Sequence, residues 1–366
     1  MKLWIAHLAV IGTSFAGTIY SITDLGGLGG TSAAAFSINS TGVTAGWAYT
    51  PLGYTAGLVA VGGKLQALAL GSEAFGINDA GQVVGQLGNH GALWTVTGMT
   101  DLGADTAAMA INNTGQIAGG NGHAILIGGG ATRDLGTLGG GSWSAAYGLN
   151  DTGEVVGSAM LANGHFEGFT WSLQTGMVGL GSLGGKDSHA TAVNALGQVT
   201  GSASLSNGYQ HAVLYSNGRI VDLGSLGTSN SYGYAINNSG IVVGYSYVDG
   251  QADSHAFVYA GGMMVDLNLV IPVNSGWELL AAYGINEAGQ IVGSGIYEGQ
   301  SAMFLLDRVA PSTKPLSPFW SKNASALATS VATPEPATGG LLVIGTALFI
   351  IFRRHLSSAV SVLQRK

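Results

Sequence analysis

The stretch Asn78-Asp79-Ala80-Gly81-Gln82-Val83-Val84-Gly85 decides the fold. Glycine follows the asparagine by three residues and again by seven. The same rule holds after Asn39, Asn112, Asn150, Asn194, Asn237 and Asn286. There Gly42, Gly115, Gly153, Gly197, Gly240 and Gly289 take the first place, and Gly46, Gly119, Gly157, Gly201, Gly244 and Gly293 the second. The mean spacing, (286 − 39)/6, is about 41 residues, a period typical of propeller blades. Asparagine suits the first position of a type I turn, where its side chain bonds the local backbone. Glycine three residues later supplies the left-handed conformation that a bulged hairpin needs. The motif is therefore read as a hairpin turn, and its asparagines as structural, not as metal or ligand contacts.

Around each turn the unit reads Ala-x-x-Ile-Asn-x-x-Gly-Gln-Val-Val-Gly and then a polar loop. A run such as His255-Ala256-Phe257-Val258-Tyr259 follows, and then one such as Met263-Met264-Val265-Asp266-Leu267. Four short β-rich runs per unit, in seven units, predict an all-β chain folded as a seven-bladed β-propeller. The ends of the repeat region predict how the ring closes. Ile19–Leu25 already reads as a fourth strand, ahead of the first complete unit near Ala33. The seventh unit supplies Ala281–Asn286, Gly289–Gly293 and Ser301–Leu306, and then lacks a fourth strand. The N-terminal strand is expected to complete that last blade and bury both sheet edges.

Composition fits this architecture. Glycine makes up 62 of 366 residues and charged residues only 8%; turns account for the first, and strands covered on both faces for the second. Ala33, Ala74, Ala107, Ala145, Ala190, Tyr234-Ala235 and Ala281 occupy the innermost run, so an axis lined by small side chains is expected. Between Gly17 and Asp307 there are 18 acids against 4 bases (Lys64, Arg133, Lys186 and Arg219), a net charge of 4 − 18 = −14. That charge repels phosphate polymers, so no nucleic-acid partner is expected. Weak Ca²⁺ binding stays open, although no Asp-x-Asp-x-Asp loop is present. No other cofactor is expected, and with no cysteine in the chain there is no thiol chemistry.

These units resemble the HAF family of bacterial extracellular repeats. The residues that carry the likeness are Asp134-Leu135-Gly136-Thr137-Leu138-Gly139-Gly140, the Asn-x-x-Gly-Gln-Val-Val-Gly step, and His211-Ala212-Val213-Leu214 or His255-Ala256-Phe257-Val258. The resemblance implies an extracellular repeat protein and names no activity.

The two ends read as addresses. Lys2, the apolar run Leu3–Phe15 and the small residues Ser14 and Ala16 read as a secretory signal peptide over residues 1–16, the substrate of a signal peptidase. The propeller is expected over residues 17–307, followed by a Pro/Ser/Ala-rich linker over 308–332. Residues 333–354 hold Pro334-Glu335-Pro336, the apolar run Gly339–Phe352 and Arg353-Arg354. The run predicts a short C-terminal hydrophobic helix of about 21 Å. This constellation resembles the PEP-CTERM sorting signal of Gram-negative bacteria. That resemblance implies processing by an exosortase, transient anchoring in the inner membrane through 339–352, and delivery to the cell surface or the exopolysaccharide matrix. The chain continues as a tail over 355–366, where the family usually stops.

No constellation announces catalysis. His90, His123, His211 and His255 start the third strands of different blades, so they should ring the molecule without converging on a metal. Asp24, Asp101, Asp134, Asp222 and Asp266 recur in Asp-Leu before the fourth-strand corner and read as strand-end residues bonding backbone amides. The acids outside the repeat, Asp105, Glu167, Asp187, Asp249, Asp253, Glu278 and Glu298, include no pair selected by spacing. A Gly-x-Ser-x-Gly elbow is absent. No catalytic residue and no metal ligand is therefore assigned. The loops joining strand two to three, and strand four to the next strand one, should share one face. Trp47, Tyr54, Trp143, Tyr209, Tyr232, Tyr247 and Trp277 are expected there as ligand-face candidates, since exposed rings suit sugars or proteins. The leading expectation is a non-catalytic surface or matrix scaffold binding polysaccharide or protein. The alternative is a propeller glycosidase or polysaccharide lyase acting on matrix polymer.

Overall fold

Seven four-stranded antiparallel sheets stand around one axis, each with its first strand innermost. The structure is a computed structural model and describes residues 20–250 and 253–309. Blades 1 to 6 run 33–70, 72–104, 107–134, 143–179, 184–222 and 231–266, each taking its strands in chain order. Blade 7 takes three strands, Trp277–Ile285, Ile291–Tyr297 and Gln300–Arg308, from the end of the repeat region, and its fourth from Tyr20–Gly26. The expected closure by an N-terminal strand is what the sheet order shows. Tyr20 and Leu25 bury in the core, and the Tyr20 amide donates to the Val270 carbonyl at 2.9 Å. One 3-10 turn, Leu267–Leu269, is the sole helical element among the described residues. The signal peptide, the linker, Pro334-Glu335-Pro336, the helix expected over 339–352 and Arg353-Arg354 lie outside the described residues.

Each hairpin between first and second strands spans five residues in every blade. The glycine three after each asparagine has φ between +72° and +85°, so it occupies the left-handed region that turn geometry requires. The glycine seven after the asparagine has a different reason. At all seven positions a Cβ would overlap the carbonyl oxygen of the paired first strand. The missing side chain also makes room for the third strand. Gly157, Gly244 and Gly293 face Phe169, Phe257 and Phe304, which are fully buried. Residues packed this way between neighbouring sheets form the core.

One expectation is corrected at the axis. Every first strand carries a β-bulge at the same place, three residues before the asparagine. The extra residue is Phe36, Phe75, Met109, Tyr147, Thr191, Tyr234 or Tyr283 in blades 1 to 7. A bulge re-aims its side chain, and all seven line one cavity on the axis. The axis is thus lined mostly by large rings. Of the small residues expected there, only Ala235 lines the cavity; Ala74 and Ala190 pack in the cores between blades.

Candidate functional site

The asparagines do more than hold their own turns. Each Oδ1 accepts from the backbone amide four residues on, at 2.8 to 3.1 Å. Each Nδ2 donates to the backbone carbonyl of the asparagine in the next blade. The bonds run Asn39 to Asn78, on to Asn112, Asn150, Asn194, Asn237 and Asn286, and from Asn286 back to Asn39, at 3.0 to 3.3 Å. Seven buried amides therefore form a closed hydrogen-bonded ring. A partial second ring lies outside it: the Ser40, Asp79, Asn113, Ala195 and Asn238 amides each donate to the side chain one residue past the next blade's asparagine. Ala195 offers no acceptor, so the step from Asp151 is missing. At the other end of the blades, buried Ser72, Ser144, Ser188 and Ser231 each accept from an amide of the preceding blade.

The ends of the blades differ in regularity. At the asparagine end, first-to-second hairpins are all five residues and third-to-fourth hairpins are two or three. At the opposite end, loops between second and third strands range from residues 88–89 to 248–253. Connections from a fourth strand to the next blade range from Gly71 alone to residues 267–276. The large variation in loop length lies on one face, which is where loops carried on a fixed frame place recognition.

The seven aromatic candidates do not form one exposed surface there. Tyr54 and Tyr209 are exposed, at 59% and 45%, but they sit on blades 1 and 5, three blades apart around the ring. Trp47 is buried, contrary to expectation. It lies within a second strand, 5.2 Å from the Tyr49 ring and 6.5 Å from Phe36. Tyr232 and Tyr247 are half-buried and meet through Tyr245, at 5.0 and 5.9 Å. Burial pushes the Tyr232 hydroxyl up to about 12. Trp143 stands edge-on to Phe166 at 5.7 Å, and Trp277 stacks on Tyr297 at 5.0 Å. Both tryptophans are half-buried, each on its own blade.

On the same face the structure pairs histidines with aspartates that the sequence reading treats separately. The Nδ1 atoms of His90, His123, His211 and His255 lie 2.6 to 2.9 Å from Asp101, Asp134, Asp222 and Asp266. His165 lies 3.3 Å from Asp187. The first four pairs share a spacing of eleven residues, a signal present in the sequence. The aspartates also accept from backbone amides two residues on, as expected of strand-end acids. The Gly103 and Gly136 amides, and then the histidines, hold the Asp101 and Asp134 carboxyls below their ordinary value. His255 and Asp266 are the most enclosed pair, each 14% exposed. The Asp266 hydrogen bond raises the His255 imidazole above its ordinary value against the opposing effect of burial, with Glu278 and Asp253 adding to the rise. An aspartate on Nδ1 fixes the tautomer and leaves Nε2 for outward chemistry. His189 is different: it is buried against Ser158 Oγ at 2.9 Å, and burial lowers it to about 4.

Among the described residues, no group of three or more His, Asp or Glu is placed to hold a metal ion, and no helix is long and apolar enough to cross a membrane.

No family model matches the chain, and no curated protein matches it. Solved structures do. The chain is similar to a puromycin-hydrolyzing peptidase of Mycobacterium tuberculosis, at 13% identity over 81% of this chain and 55% of that one, with a TM-score of 0.53. It is also similar to a protein assigned as TolB from Agrobacterium tumefaciens (11%, 68% and 94%, TM-score 0.45). A third is a gluconolactonase of Xanthomonas campestris (12%, 63% and 83%, TM-score 0.42). At these identities the likeness is one of fold, the β-propeller.

Proposed function

We propose that the chain is an exported, non-catalytic scaffold that binds polysaccharide or protein at the cell surface or in the extracellular matrix. The observation that carries this reading is the division between the two faces. On the asparagine face the five-residue hairpin and its asparagine repeat in all seven blades, while the wide range of loop lengths lies on the other face. A fixed frame with one variable face is the layout of a binding module. The exposed Tyr54 and Tyr209 and the stacked Trp277–Tyr297 pair support it, because aromatic faces suit sugar rings and partner side chains. The sequence resemblances supply the address: secretion, exosortase-type sorting, and a transient inner-membrane anchor at 339–352.

One observation favours a second reading, a hydrolase or lyase acting on matrix polymer. The enclosed His255–Asp266 pair, beside Glu278 and Asp253, holds a histidine raised above its ordinary value by the Asp266 hydrogen bond, a paired acid and base of the kind general acid-base catalysis uses. A glycan array probed with the full chain, followed by size analysis of each bound polymer, separates the two. The expected result is retention of a polymer whose length does not change, with Tyr54→Ala and Tyr209→Ala weakening retention. New chain ends, lost in His255→Ala, would replace the scaffold with the enzyme; no retention of any glycan or surface protein would remove both.

A further inference from the structure

The seven bulges define a second place where a ligand fits, separate from the loop face, so this inference stands or falls apart from the proposal above. The axial cavity measures about 220 Å³ and draws its walls from all seven first strands. None of its lining residues carries a charge. The rings are contiguous on one side: Phe75 to Phe36 at 5.9 Å, Phe36 to Tyr283 at 4.9 Å, and Tyr283 to Tyr234 at 5.0 Å. Tyr147 adds a further ring. Non-aromatic residues stand at two bulges, Met109 in blade 3 and the smaller Thr191 in blade 5. The Thr191 hydroxyl donates to the Gly233 carbonyl at 2.8 Å and so turns into the wall.

We propose that this cavity is an aromatic cage for a small quaternary-ammonium cation. Three properties of the site select that chemistry. Ring faces carry negative quadrupole density and attract a cation set over them. The tyrosines keep their protons, since burial pushes Tyr283 up to about 12 and raises Tyr147 and Tyr234 as well; the attraction therefore comes from ring faces, not from a phenolate. The surrounding module carries a net charge of −14, and low-dielectric walls focus such a field into a cavity, against anions and in favour of cations. A methylated ammonium also suits an uncharged, partly apolar wall, because it needs no hydrogen-bond acceptor. Size agrees: an apolar cavity of roughly 150 Å³ already takes a benzene ring.

Isothermal titration of the full chain with choline, with tetramethylammonium and with 3,3-dimethyl-1-butanol tests this. The last has the shape of choline without its charge. Both cations are expected to bind, and the neutral alcohol to bind at least about tenfold more weakly, the size of a desolvated cation–π contribution. Thr191→Phe puts into the cavity the bulky side chain that blades 1 and 2 already carry at the same bulge, filling the space a cation would occupy. It is expected to abolish cation binding while leaving the melting temperature close to that of the parent. Should it fail to fold, Tyr283→Leu is expected to weaken choline at least several-fold and to leave the alcohol unchanged. No heat with either cation, equal affinity for the alcohol, or undiminished choline binding by a folded Thr191→Phe or Tyr283→Leu chain would each overturn the proposal.

Discussion

A chain lacking Tyr20–Gly26 is expected to lose the closed ring, with a melting temperature lower by roughly 10 °C or more and a strong tendency to associate. The segment is the fourth strand of blade 7, so its removal acts in three ways. It withdraws Tyr20 and Leu25, 2% and 3% exposed, from the core; two such side chains contribute about 3–6 kcal/mol. It leaves the backbone edge of Gln300–Arg308 unpaired, a template for pairing with another chain. It also separates the ends of a ring whose blades each rely on two neighbours. For a module of this size, about 2–4 °C accompanies each kcal/mol. Differential scanning calorimetry with light scattering measures both effects. An unchanged melting curve in a monomeric sample would show that the segment closes nothing.

The second large effect belongs to the asparagine ring. Read as a local turn, Asn112 would contribute about 1 kcal/mol, the worth of one hydrogen bond. In the ring it contributes more. Its Oδ1 accepts from the Thr114 and Gln116 amides, and its Nδ2 donates to the Asn150 carbonyl and to Gln116 Oε1. Asn112→Ala leaves several of these buried groups without partners, and an unmet buried group costs about 1–3 kcal/mol. The expected loss is about 3 kcal/mol. Asn112→Asp keeps an acceptor for the turn and removes the donor to blade 4. It is therefore expected to recover little of that loss, and to do worse as the carboxylate ionises against the Asn150 carbonyl. Chemical denaturation of both variants reads the difference. If the aspartate variant were as stable as the parent, the bond between blades would carry no weight.

The parts of this fold that were legible in the sequence are those a residue imposes on its own neighbourhood. A glycine at φ near +80° is demanded by the turn it sits in, so seven turns showed as seven glycines. The missing fourth strand of blade 7 and the early strand at Tyr20 showed as an offset between the two ends of the repeat. What one blade does to the next was hidden. The Nδ2 donation from Asn286 to the Asn39 carbonyl joins residues 247 apart, and nothing in either turn records it. The bulges were hidden for another reason: their residues are Phe, Met, Tyr or Thr, so no residue type marks the position. Small neighbours drew attention to the axis while the large residue between them was the one that faced it. Trp47 misled because it follows Gly46 within a strand, where tertiary packing decides exposure. The His–Asp pairs were within reach, since a constant interval of eleven residues places the start of strand three beside the end of strand four.

Closure of the ring by the N-terminal strand is the claim on which every other statement depends, and the absence of cysteine allows a clean test. Ser21 Oγ donates to the Asp307 carbonyl across the last two strands of blade 7, at 3.5 Å. A full-length chain carrying Ser21→Cys and Asp307→Cys has only those two thiols. Mild oxidation followed by non-reducing mass spectrometry should give a monomer with both thiols lost to one internal disulfide. Two free thiols under the same conditions, or a disulfide only between two chains, would contradict closure within one molecule.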